Sequence, residues 1–177
     1  MLFDISTQVH NCSPSHYANL MTRIVRVESD GNTFAIGVVK ARLARQPVNL
    51  SEATATAKAL IDSKYNFSIG LAQINQIHFS GLGWSNQLAE GFNACNNIAA
   101  GALILDKCFT KARQYHSQRG VDFDPSTISK MAVSCYYSGD LFLGGKLGYV
   151  NKVMGFSSKS KISNSFNSTT MDYINEN

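Results

Sequence analysis

A chain of 177 residues with 44% hydrophobic content has the size of one domain and enough apolar material for a conventional core. Its net charge of +4 comes from scattered Lys and Arg without a long basic run, which argues against a dedicated nucleic-acid surface and leaves a mild preference for an anionic polymer. No stretch approaches the roughly 20 consecutive apolar residues of a membrane helix, and Met1-Leu2-Phe3-Asp4-Ile5-Ser6 has neither the basic start nor the apolar centre of a secretory leader, so the chain reads as cytosolic or as a mature form.

Helix signals dominate. Ser13 as N-cap with Pro14 at the first helical position predicts a helix running to about Asp30-Gly31. On it Tyr17, Leu20, Met21 and Ile24 recur at steps of three and four, and Glu28 continues the same stripe, which puts a carboxyl group where a hydrophobic residue is expected. Burial penalises the charged form of such a group, so it keeps its proton near neutral pH and can hand it to a leaving group. The alternative is a helix-end Glu that reaches back to water.

Asn32 to Pro47 reads as irregular chain. Ser51 to Asp62 predicts a short helix with Ala53, Ala57, Leu60 and Ile61 on one face, and Tyr65-Asn66-Phe67-Ser68-Ile69 predicts a brief strand or turn leading to Gly70. A strong helix from about Asn96 to Tyr115 carries Ile98, Ala102, Leu105, Phe109 and Ala112 on its core face. Asp124-Pro125 supplies the cap and first-turn proline of a helix through Ile128, Met131, Ala132 and Cys135 that stops at Gly139. A last, glycine-weakened helix is expected from Lys146 to Met154. The organisation is then one domain over residues 1–156 and a flexible Ser- and Asn-rich tail over residues 157–177, a linker or binding tail.

Cys12, Cys95, Cys108 and Cys135 lie far apart, which argues against a zinc ribbon or a thioredoxin-type motif. Their even number suits two disulfides in an oxidising compartment or four buried thiols, and every pairing stays open. His10, His16, His78 and His116 show no ligand spacing and read mostly as surface residues, so no metal is expected. Gly144-Gly145-Lys146 is not a phosphate loop, and neither GxGxxG nor GxSxG occurs, so no nucleotide cofactor is expected either. What remains is Glu28, the string Ser68-Ile69-Gly70-Leu71-Ala72-Gln73-Ile74-Asn75, and Tyr136-Tyr137 followed by Tyr149. Gly70 lets a ligand or a facing helix approach the backbone, and the amides of Gln73 and Asn75 can hold hydroxyl or acetamido groups. Alone, the string also reads as an ordinary turn into a helix.

In chain order, Glu28-Ser29, Ser68 to Asn75, Ala132-Val133-Ser134-Cys135-Tyr136-Tyr137-Ser138-Gly139 and Gly148-Tyr149-Val150 resemble the lysozyme-like lytic transglycosylases. More narrowly, Ala35-Ile36-Gly37-Val38, the run from Cys95 to Leu105 and the later Cys108 resemble the branch that accompanies type IV secretion systems. The resemblance covers about residues 12 to 155. It implies a mainly α, lysozyme-like α+β fold with a helical core and at most a small β element, and a periplasmic location. It also implies peptidoglycan glycan strands and secretion or conjugation components as partners, with no cofactor and no nucleic acid. Position by position, it makes Glu28 the only catalytic acid and base. Ser68 and Gln73 would contact N-acetyl and hydroxyl groups, with Gly70 and Asn75 in the same binding segment. Tyr136 would line the cleft, and Tyr149 would hydrogen-bond Glu28. Ala72 stands where Met is common, and Tyr137 where Asn usually follows the motif's Tyr, a departure that bears on substrate positioning more than on chemistry.

A two-carboxylate glycosidase needs a second Asp or Glu about 5 Å or more across the scissile bond. Ser68 stands where animal-type lysozymes carry that group, Asp30 is too near Glu28 along the chain, and Asp62 falls on a solvated helix face. The implied reaction is therefore internal: Glu28 protonates the bond between MurNAc and GlcNAc, and the muramyl 6-hydroxyl closes a 1,6-anhydro ring. A hydrolytic muramidase and an inactive glycan-binding scaffold subunit are the alternatives.

Overall fold

The computed structural model describes residues 4–120 and 124–155, so the tail expected at residues 157–177 lies outside the described residues. The chain is mainly α with one small three-stranded antiparallel sheet, as expected. It divides into two compact units at the step from Ala102 to Leu103.

The first unit opens with α1 (Ile5–Cys12), capped by the Asp4 carboxylate on the backbone N–H groups of Ser6 and Thr7. This helix has no counterpart in the sequence reading, because it buries only Ile5 and Val9, too few positions to show a period. It packs on α2 (Ser15–Ser29), which starts one residue later than expected, with Pro14 rather than Ser13 at the N-cap because Ser13 closes α1; the end of α2 is set as expected, by Asp30 at φ 49°. The stripe is buried as expected at Tyr17, Met21, Ile24 and Glu28, and Ala18, Val25 and Ser29 widen it.

β1 (Ile36–Val38) lies inside the stretch expected to be irregular, since three residues are too few for an alternation to register. Its outer edge is closed by a side chain: Gln46 Oε1 accepts from Ile36 N at 2.8 Å, and Gln46 Nε2 donates to Ile36 O at 3.0 Å. α3 (Leu50–Asp62) begins at the Asn49 cap and buries Ala53, Ala57 and Leu60, whereas Ile61 is exposed. β2 (Phe67–Ile69) takes the centre of the sheet, with Gly37 opposite Ser68 on one side and, on β3 (Ile74–Asn75), Asn75 opposite Ser68 on the other. Phe67, Ile69 and Ile74 of the sheet, with Leu71 and Phe92, are fully buried, so the sheet belongs to the core rather than standing as a free ribbon. A disulfide joins Cys12 at the end of α1 to Cys95 at the start of α4 (Ala94–Ser117).

In the second unit, Cys108 on α4 is bonded to Cys135 on α5 (Pro125–Ser138), a helix with the expected Asp124 cap and Gly139 stop. The expected last helix is two short pieces, α6 (Leu143–Lys146) and α7 (Tyr149–Gly155), broken at Gly148 with φ +80°. His116 departs from the surface reading. It is buried with Nε2 2.9 Å from Met131 Sδ, and desolvation lowers its pKa below the ordinary value, with Arg119 adding in the same direction. No helix among the described residues is long and apolar enough to cross a membrane.

The two disulfides close chain separations of 83 and 27 residues. Chain entropy then assigns about 4.5 kcal/mol to the first and about 3.5 kcal/mol to the second. Denaturant unfolding of Cys12→Ala/Cys95→Ala and Cys108→Ala/Cys135→Ala is expected to show both destabilised by several kcal/mol, the first more; two unshifted midpoints would refute the covalent staples.

Candidate active site

Glu28 occupies the last turn of α2 at 9% exposure, so the apolar stripe delivers its carboxyl group to a site screened from water. The next residue fixes where that turn lies. Ser29 Oγ sits 2.8 Å from Leu71 O and 3.1 Å from Val25 O, and it accepts from Gly31 N at 3.3 Å. The hydroxyl therefore ties the end of α2 to the segment from Ser68 to Asn75.

That segment is a turn between strands, held by α4. Gly70 adopts φ +77°, and a Cβ there would come within 2.2 Å of Asn97 Nδ2. The close approach that Gly70 permits is thus taken by a side chain of the facing helix. Asn97 is fully buried and accepts from Ala72 N at 2.7 Å through Oδ1, while Nδ2 donates to Ile69 O at 2.9 Å and Gly91 O at 2.7 Å. The sequence reading gave Asn97 no role. Its signal was nevertheless present, because Asn97, Gly101, Leu105, Cys108 and Ala112 recur at helical spacing and all are buried, a polar residue on an apolar stripe just as at Glu28.

Gln73 completes the turn in the left-handed region at φ 46° and is 8% exposed. A non-glycine residue pays about 1–2 kcal/mol for that backbone. Its Nε2 donates to Gly70 O at 2.9 Å and Ala35 O at 3.2 Å, while Oε1 is buried with no hydrogen-bond partner among the described residues. Ser68, 2% exposed, faces Asn75 across the hairpin, and Asn75 Nδ2 donates to Ser68 Oγ at 3.3 Å. The first unit thus brings together Glu28, Ser68, Gly70, Gln73 and Asn75 as one connected segment plus the helix end bonded to it.

In the second unit, Tyr136 is half-buried on α5, and Tyr149 at the start of α7 is buried. Tyr149 stacks on Tyr137 with ring centroids 4.5 Å apart and planes 21° from parallel, so the residue that departs from the family motif has a packing role.

Glu28 is the one buried carboxylic acid among the described residues. Asp4, Asp30, Asp62, Glu90, Asp106, Asp124 and Asp140 are exposed. Glu52 is half-buried and paired with Arg45, whose hydrogen bond holds its carboxyl below the usual pKa. No group of three or more His, Cys, Asp or Glu placed to hold a metal ion occurs among the described residues.

The profile of the transglycosylase SLT domain family matches residues 7–153. Type IV secretion system protein virB1 of Brucella suis and that of Brucella abortus are each 37% identical over 150 residues, covering 81% of this chain and 59% of theirs. Protein virB1 of Agrobacterium fabrum is 27% identical over 142 residues, covering 80% of this chain and 54% of its own. The chain therefore spans about three fifths of the length of the curated relatives it matches. No solved structure gives a significant match. With a family profile that runs from α1 into α7, and with the Glu-Ser pair and the Gly-x-x-Gln-Ile-Asn turn bonded to each other, this chain belongs to the transglycosylase SLT domain family.

Proposed function

We propose that the protein is a peptidoglycan lytic transglycosylase that cleaves the β-1,4 bond between MurNAc and GlcNAc without water and leaves 1,6-anhydromuramyl ends. The observation that carries this reading is the solitary buried acid among the described residues: Glu28 is screened from water, and Ser68, which by resemblance stands where animal-type lysozymes carry their second carboxylate, is no acid. Glu28 protonates the glycosidic oxygen, the 2-acetamido group of the sugar steadies the cationic ring, and Glu28 then takes the proton of the muramyl 6-hydroxyl as that oxygen attacks C1. The same carboxyl acts first as acid and then as base, so the cycle closes with no water consumed. Gln73 offers Oε1 as an acceptor for the sugar, and the family resemblance assigns Tyr136 and Tyr149 to the same reaction.

Residues 1–156 serve as the catalytic domain, and residues 157–177 as a linker or binding tail. The printed names of the virB1 relatives place those proteins with type IV secretion. By extension, this chain opens the wall locally in the periplasm for such an apparatus. Digestion of purified sacculi followed by mass spectrometry tests the chemistry. The expected muropeptides are one water lighter than those of a muramidase; products of hydrolytic mass would establish the muramidase instead, and intact sacculi would favour a glycan-binding scaffold.

A further inference from the structure

The Asn75 amide is held at both ends, by Ile77 at its oxygen and by Asn66 at its nitrogen. Its Oδ1 accepts from Ile77 N at 3.1 Å, and because a backbone N–H can only donate, the oxygen faces Ile77 and the NH₂ group faces the other way. The two hydrogens of that NH₂ group go to Asn66 Oδ1 at 2.8 Å and to Ser68 Oγ at 3.3 Å. Ser68 consequently receives a hydrogen on its oxygen, and its own O–H is left to be donated. Among the described residues no acceptor takes it. A buried hydroxyl in the centre of the sheet, with its donor unspent, is matched to an acceptor that arrives with a ligand.

We propose that Asn66, which the family motif does not include, is a positioning residue for glycan recognition. It anchors the Asn75 amide, and the anchored amide makes Ser68 a donor toward an oxygen of the bound strand. The inference rests on the glycan-cleaving reading of the site and adds a direction to it. Ser68 demands an acceptor, which an acetamido carbonyl supplies and a protonated amine does not. Asn66 is itself exposed, and its backbone carbonyl accepts from Val39 N at 2.9 Å whatever side chain it carries, so the sheet does not depend on its amide.

The test is a double-mutant cycle on soluble, uncrosslinked glycan strands. Asn66→Ala is expected to raise KM about tenfold, the size of one lost hydrogen bond, with kcat within about twofold. Asn66→Asp, which keeps an oxygen facing Asn75, is expected to restore KM to within about twofold of the parent. In a Ser68→Ala background, Asn66→Ala is expected to add nothing, because its effect passes through that hydroxyl. On de-N-acetylated strands the Asn66→Ala penalty is expected to vanish. An unchanged KM for Asn66→Ala, or effects of the two substitutions that simply multiply, would overturn the proposal. Should the parent protein release no product from the strands, the transglycosylase reading falls, and the same cycle is then read as strand binding by calorimetry. Coupling between Asn66 and Ser68 there supports the positioning role, and independence overturns it.

Discussion

Glu28→Gln yields a protein that melts at the parental temperature and releases anhydromuropeptides from sacculi about 10²- to 10⁴-fold more slowly, the range that general acid-base help supplies. The substitution keeps the shape of the side chain in the last turn of α2 and replaces the carboxyl group with an amide that cannot serve as acid or base. The helix is held by Tyr17, Met21, Ile24 and Val25 and by the Ser29 tether, none of which involves the carboxyl group. With no other buried acid among the described residues, no neighbour is placed to take over the proton transfer. Parental turnover by the variant, measured beside an unchanged circular dichroism melt, would remove Glu28 from the mechanism.

Asn97→Ala is expected to cost about 3–5 kcal/mol in urea unfolding, because it strands the Ala72 N–H and the carbonyls of Ile69 and Gly91 in a dry interior at about 1–3 kcal/mol each. Against a typical total of about 5–15 kcal/mol, that is a large fraction. Gly70→Ala strikes the same contact from the other side, through both the 2.2 Å overlap with Asn97 Nδ2 and the φ of +77°. Combining the two is expected to cost less than their sum, since removing the Asn97 amide relieves the overlap while the backbone angle and the 2.9 Å approach to Gly91 O persist. Strict additivity would show that the turn and the helix are not in the contact described.

The long helices and the central strand β2 were legible in the sequence, whereas α1, with only two buried positions, and the flanking strands β1 and β3 were not. α5 was readable to the residue because Asp124, Pro125 and Gly139 encode its ends locally. β1 and β3, of three and two residues, exist because β2 lies between them, and no period can be drawn from so few positions. The cysteine pairing depends on which helices meet, and that is settled by packing. Glu28 could be found because a polar residue on an apolar stripe is conspicuous. The same rule applied to α4 would have found Asn97. The division of labour around Asn75 could not be found this way, since residue type gives its donors and acceptors but not the partners that fill them.

The turn from Gly70 to Gln73 is pinned by a serine from α2, an asparagine from α4 and its own glutamine amide, with one residue in a costly backbone conformation. A wall this stiff cannot mould itself to a guest. In the glycan-binding role we propose for it, selectivity works by rejection: a sugar of the wrong outline finds nothing that yields, and one of the right outline is seated with almost no chain freedom left to surrender.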